Sequence, residues 1–225
     1  PGTGVWSIDC ISAADVESLD SSTMTEVQSS SQGATLHIKD PVVFESPTGG
    51  TALMFCSHPF GWSSSNTGLV VRGEGSDAFV LQTDTVLERG ATWDVACTRV
   101  TDRLAVPQVG LFAGLLPLSL YFYDGAECLR SLDENATAVS RPRGYSCEEL
   151  GGLAWGWDAE FPKMQRLSVD FPMFVSPHGT GCSRYVSTLK TQGGIIATWQ
   201  QSQPDRSQPL VGHFTSSETV AGLLD

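Results

Sequence analysis

Lysine is scarce in this sequence: Lys39, Lys163 and Lys190 are its only occurrences in 225 residues, and Lys and Arg together number 13 against 25 acidic residues. The formal charge of −12 disfavours the neutralisation of phosphates, so nucleic acid and anionic membrane are not expected partners, whereas neutral or cationic ligands stay open. A long apolar run is missing too. The richest stretch, VGLFAGLLPLSLYFYDG, is broken by Gly114 and Pro117 and falls short of the roughly 18 apolar residues of a membrane helix, so a soluble chain is expected. No CxxC pair occurs among Cys10, Cys56, Cys97, Cys128, Cys147 and Cys182, which argues against a zinc site or redox motif. LMFCSH and DVACTRV set thiols inside apolar runs, where buried free cysteine is the expectation and disulfides the alternative. No metal and no cofactor are expected. The chain opens at Pro1 without Met or a charged-then-apolar leader, so a signal peptide is either absent or removed ahead of this numbering, and no compartment is assigned. The sequon Asn135-Ala136-Thr137 is informative only in a secreted protein.

What is present is turn chemistry. The 23 Gly and 12 Pro, with ordinary apolar content, favour strands and turns over long surface helices. Short apolar or alternating runs at 42–44, 52–56, 67–73, 79–84, 93–104, 118–124, 152–157, 164–169, 184–191, 194–200 and 210–215 are each strand-length and bounded by Gly, Pro, Ser or Asp. Two stretches read as short helices, residues 12–19 with Ser12 as N-cap and residues 216–224 with Ser216 or Ser217 as cap and Glu218 near the positive end. The expected fold is therefore all-β with helical trim. The strands arrive in bundles of two to four, opened by Asp40, by the segment carrying Arg99, by Glu148 and Glu149, and by Arg184. Bundles of this spacing suit propeller blades, whose innermost strands would bring polar residues at their starts to one axial mouth. On that reading Asp40, pressed against Val42-Val43-Phe44 beside a Pro41 that removes a ladder donor where the strand begins, points into an axial pocket.

In order along the chain, HIKDPVVF, WDVACTRVT, YFYDG, SCEELGGLAWG and GTGCSRYVSTL resemble motifs of the five-bladed β-propeller glycosidases of the invertase, levansucrase and arabinanase superfamily, and more closely an uncharacterised group of proteins related to them. The resemblance covers nearly all of the chain after residue 35. It implies a single propeller domain over 1–225 whose ligand is a carbohydrate or related polyol, with glycoside hydrolysis as the leading activity. A catalytically silent sugar-binding module and a protein-interaction scaffold are the alternatives. The first-blade motif of those enzymes is missing from PGTGVWSIDCISAADVESLD, and five blades of about 50 residues need more chain than this, so part of the first blade is expected to lie outside this numbering.

In those glycosidases the Asp of the Asp-Pro element stabilises an oxocarbenium-like transition state while a Glu serves as general acid. Asp40 matches the first role; its alternative is to cap a turn and pair with Lys39. Glu127 and the pair Glu148 and Glu149 compete for the second, and the pair is preferred because burial before GLAWGW would raise a carboxyl pKa as an acid requires. Asp124 before Gly125 is either a further site carboxylate or a turn residue. A regular strand through WDVACTRVT would put Asp94 and Arg99 on opposite faces, and Arg99 is preferred as the cation that holds Asp40 ionised. His178 in a Gly-flanked loop, Arg184 and Tyr185 just after it, and His37 and His58 are candidates for the polar ring of a binding site, while Trp62, Trp93, Trp155, Trp157 and Trp199 are candidates to stack on sugar, most of them expected in the core.

Overall fold

The computed structural model describes residues 6–30, 37–58, 64–126, 149–179, 181–205 and 207–225, together with the backbone of residues 130–131 and 145–146. The protein is mostly β. Strands β1 (Ser7–Cys10) and β2 (Thr25–Ser29) form an antiparallel ribbon. A four-stranded meander follows from β3 (His37–Glu45), β4 (Thr51–His58), β5 (Asn66–Arg72) and β6 (Val80–Leu87), each paired to the next. The second large sheet begins with β7 (Cys97–Ala105) and β8 (Leu118–Ala126); the ribbon of β9 (Arg130–Ser131) and β10 (Tyr145–Ser146) interrupts it before β11 (Leu150–Trp157) and β12 (Gln165–Arg166) complete the order β7-β8-β11-β12. A third meander contains β13 (Ser183–Thr191), β14 (Gly194–Gln201) and β15 (Leu210–Ser216), and helix α1 (Ser217–Leu224) closes the chain. No described helix is long and apolar enough to cross a membrane.

All eleven sequence-predicted runs fall on strands, with trimmed ends in four cases, two of them by one residue, Gly73 and Phe79. The run at 93–104 becomes strand only from Cys97, and the run at 164–169 only at Gln165–Arg166. Helix α1 forms with Ser216 as its cap, its hydroxyl accepting from the Thr219 N–H. The helix expected at 12–19 does not form; the segment is bends and turns. Asp15 Oδ1 accepts both the backbone N–H and the hydroxyl of Ser18, a local alternative to helical bonding, and the apolar residues Val16 and Leu19 find nothing to pack on, being 83% and 50% exposed. An eight-residue segment with every residue exposed gains too little packing to offset helix nucleation, whereas the equally short α1 half-buries Val220, Ala221 and Leu224.

Strand β4 sits between two cores because its side chains alternate. Ala52 and Met54 face a cluster with Leu69, Leu87, Trp93, Val100, Tyr121, Tyr123 and Ala154, while Leu53 and Phe55 face the opposite way onto Ile8, Ile38 and Val70. The first meander is thereby clamped between the second sheet and the β1–β2 ribbon. Glycines make this stacking close. A Cβ on Gly152 would overlap the ring of Tyr123 and lie 2.8 Å from Cη2 of Trp93, which stacks on Tyr123 at 5.6 Å. Gly152→Ala is therefore expected to destabilise the fold by about 1–3 kcal/mol through overpacking. Gly222→Ala, where a Cβ meets nothing within 4 Å in the exposed helix, should stabilise by up to about 1 kcal/mol. Urea unfolding midpoints of the two variants check both signs.

Candidate functional site

The site is built by irregularities at one level of three strands. Between Lys39 and Val42 the β3–β4 register shifts, so that Asp40 and Pro41 together oppose one residue of β4. Asp40 therefore lies inside β3 and not at its start; as the first strand of its sheet β3 has a free edge, and a bulge there accommodates a proline that a central position would reject. The β7–β8 register shifts at Thr101, and the β13–β14 register shifts across Tyr185 and Val186. Asp40 (φ 53°) and Tyr185 (φ 56°) are the described non-glycine residues with left-handed backbone. Aspartate tolerates that region; for a bulky tyrosine it costs on the order of 1–3 kcal/mol unless its surroundings enforce it. Here Asp124 enforces it, both carboxylate oxygens accepting the Tyr185 N–H at 3.1 Å.

At the centre lies Arg99, 4% exposed. Its Nε and Nη2 donate to Asp124 Oδ2 at 3.2 and 2.7 Å, its Nη1 to Asp40 Oδ2 at 3.0 Å, and Nη2 also meets Glu149 Oε1 at 2.9 Å. Arg184 pairs with the other oxygen of Glu149 and donates from Nε to Gln200 Oε1 at 2.7 Å. The Tyr185 ring covers both guanidinium groups, with Cζ of Arg99 4.2 Å and Cζ of Arg184 5.0 Å from its centroid. Lys39 Nζ stands 3.7 Å from Asp40 Oδ2. Three carboxylates (Asp40, Asp124, Glu149) thus face three cations (Lys39, Arg99, Arg184), and the cluster balances to neutrality.

Burial and charge then sort the titrating groups. Burial pushes Asp124, which is fully enclosed, up to about 6, against the lowering pull of Arg99. Burial acts upward on Glu149 also, but Arg99 and Arg184 outweigh it and hold the carboxyl below its ordinary value. Burial works to lower Arg99, yet Glu149 and Asp124 overcome it and hold the guanidinium well above its ordinary value. The Cys56 thiol, buried beside Asp40 with Sγ 3.7 Å from Oδ2, is driven by burial up to about 12.

A pocket of about 280 Å³ opens over this hub, lined by Asp40, Pro41 and Val42, by Arg99, Val100 and Thr101, and by Tyr185, Val186 and Ser187. The three triplets are the bulged segments of β3, β7 and β13. Asp40 is the carboxylate on its wall, about one-third exposed; its Oδ2 takes the contacts with Arg99, Lys39 and Cys56, and no described group donates to Oδ1.

The structure brings Asp40, Arg99, Asp124, Glu149, Arg184 and Tyr185 together. It keeps the histidines apart from them: His37 and His58 are cross-strand partners with rings 6.3 Å apart beside Trp6, and His178 is exposed in its loop, its backbone N–H donating to Ser176. None of the three lines the pocket. Glu148, Trp62 and Glu127, with Cys128, Cys147 and the sequon, lie outside the described residues; Cys10 and Cys56 are free thiols. Asp94 is not on a strand face opposite Arg99 but in the turn before β7, fully buried, taking bonds from Arg166 and Tyr123 at 3.0 and 3.2 Å. Sequence reasoning missed Thr101, Ser187 and Gln200; the first two lie within WDVACTRVT and GTGCSRYVSTL, but a single hydroxyl or amide carries no signal of its own. Among the described residues no group of three or more His, Cys, Asp or Glu is placed to hold a metal ion. No protein-family model, no curated protein and no solved structure matches the chain.

Arg99→Gln would leave three carboxylates without their shared partner and is expected to cost about 3–5 kcal/mol, since stranding a buried charge costs far more than the pair contributes net. The pH response has two opposed parts. Glu149, held low, contributes stability that is present above its ordinary value of 4.5 and is lost as pH falls through its lower folded value. Asp124, held high, carries a cost at neutral pH that is relieved as pH falls from about 6 towards 3.8. Glu149→Gln should therefore lose stability less steeply than the parent protein in the most acid range, and Asp124→Asn more steeply between those two values; denaturation midpoints across the range check both slopes.

Proposed function

We propose that this pocket recognises a neutral, hydroxyl-rich ligand, a sugar or related polyol, and that the sheets bearing it are successive blades of a propeller. The observation that carries the ligand class is Asp40, a carboxylate lining a pocket of one-ring size, anchored through Oδ2 to Arg99 and with no described donor at Oδ1. A carboxylate fixed in this way accepts hydroxyl donors without reorganising. The Tyr185 ring beside it and the Thr101 and Ser187 hydroxyls add an apolar surface and polar contacts, the mixture small-ligand sites use. The neutral balance of the cluster disfavours a strongly charged ligand. Support for the blades is topological: β3, β7 and β13 are the first strands of their meanders, they meet at the hub, and the later strands of each meander are added outward in sequence, as in a propeller blade.

Hydrolysis of a glycosidic bond is the second reading, favoured by the separation between Asp124, pushed up to about 6, and Glu149, held low, at one guanidinium. It requires a protonated carboxyl within reach of the leaving oxygen. Asp124, the group with the suitable direction of shift, is sealed from the pocket, and Glu149 is tied up by two arginines. Recognition therefore stands ahead of catalysis.

Asp40→Asn keeps the side-chain shape and removes the charge. Titration of both proteins with a panel of monosaccharides and polyols is expected to show about 10- to 100-fold weaker affinity for the variant, the worth of a hydrogen bond to a charged acceptor. Equal affinities, or no binding by the parent protein, would overturn the reading. Release of nitrophenol from nitrophenyl glycosides by the parent protein, abolished in Asp40→Asn, would put hydrolysis in its place.

A further inference from the structure

We propose that Trp155 and Trp157 form a second, surface site for a neutral oligosaccharide, separate from the Asp40 pocket. Along β11 the side chains alternate. Gly152 and Ala154 turn into the core against Tyr123, and Trp155 and Trp157 project from the opposite face, both half-buried. Their rings stand 5.4 Å apart at 83°, a floor and a wall. The loop that follows folds back against β11, a Cβ on Gly156 overlapping the Lys163 carbonyl oxygen, and its Glu160 and Lys163 share a hollow with the indoles. The result is a hollow of about 60 Å³ lined by Trp155, Gly156, Trp157, Glu160, Lys163 and Gln165.

The indole N–H groups separate these tryptophans from the packing tryptophans. Trp93 donates to the Ser168 carbonyl and Trp199 to Gln201 Oε1, each at 2.9 Å, whereas neither Trp155 nor Trp157 donates to any described residue, and neither nitrogen is sealed from solvent. A buried indole normally finds a partner, so two solvent-reaching donors at one corner are open to an outside acceptor. Glu160 and Gln165 add acceptors and an amide donor. Lys163 Nζ lies 3.8 Å from Glu160 Oε2, so the rim is a neutralised ion pair: the ammonium opposes a cationic guest and the carboxylate a phosphate. Two perpendicular aromatic faces with hydroxyl-matching groups at the edge fit the C–H face of a sugar ring. The hollow is too small to enclose a whole ring, so an oligosaccharide resting one residue in it is the fitting form.

The test uses the full chain and four soluble probes, the linear hexasaccharides of glucose, fructose, arabinose and xylose. In the parent protein at least one probe is expected to shift the Trp155 and Trp157 indole N–H resonances saturably, and in Asp40→Asn the same shifts persist with unchanged affinity. Trp157→Ala should weaken that binding at least about tenfold. Because truncating a half-buried indole also removes packing contacts, Glu160→Ala and Gln165→Ala, both at exposed positions, are measured beside it and should each weaken binding while leaving the thermal midpoint unchanged. No shift with any of the four probes overturns the proposal, as does a shift that Asp40→Asn abolishes, or saturation of the two indole signals by a proline-rich peptide instead. Absence of any monosaccharide or polyol binding at the Asp40 pocket of the parent protein, with these shifts intact, would fault the pocket reading alone.

Discussion

The structure depends on one guanidinium. Arg99 comes from β7, and the carboxylates it holds come from β3, from β8 and from the residue before β11, while Asp124 passes the connection on to the backbone of β13. The first strands of three separate sheets are therefore tied through one buried charge. Strand edges of this kind carry backbone groups that need partners. At the edge of β13 they are taken by side chains: Asp124 accepts the Tyr185 N–H and Asp102 accepts the N–H and hydroxyl of Thr188. Desolvating so many charges is expensive, and the arrangement persists because nearly every oxygen around Arg99 has a donor.

The hub also explains where strain is found. Left-handed Asp40 and Tyr185 both line the pocket, and both are gripped by the Arg99 network, one through its side chain and the other through its N–H. Strain of this kind is kept where surrounding bonds over-determine the conformation. Its effect is geometric, because a bulge re-aims the side chains that follow it. Three bulges at one level turn Asp40, Thr101 and Tyr185 to a common space that regular strands would have filled with alternating core residues.

Much of the fold was legible because strand signals are local. Apolar runs bounded by Gly, Pro and Ser marked the strands, and the need for a cation to hold Asp40 ionised favoured Arg99, which it touches at 3.0 Å. The failures share a cause: each depended on something outside the segment read. Residues 12–19 carry a cap and acids suited to a helix, but no described neighbour buries Val16 and Leu19. Asp94 was read as part of a continuous strand, yet the chain turns there and Arg166, 72 residues away, claims it. Burial of Glu149 was foreseen, whereas the two arginines that reverse its effect on the carboxyl come from other strands. Nothing in SRYVST announces a tyrosine in the left-handed region; that follows from an acceptor 61 residues earlier in the chain.

The division of labour among the three carboxylates bears on what the pocket can do. A group that exchanges protons must reach its substrate and must not be fully committed to fixed partners. Asp124 meets neither condition, Glu149 is committed through both oxygens, and Asp40 keeps one oxygen for the pocket. Two of the three therefore act on the third, Asp124 by seating the guanidinium and Glu149 by joining it to Arg184. Such support costs flexibility and gives a fixed acceptor whose orientation does not depend on the ligand. Preorganised acceptors of that sort suit recognition of hydroxyls by geometry, since a bound hydroxyl gains the charged hydrogen bond without any ordering of the protein side chain.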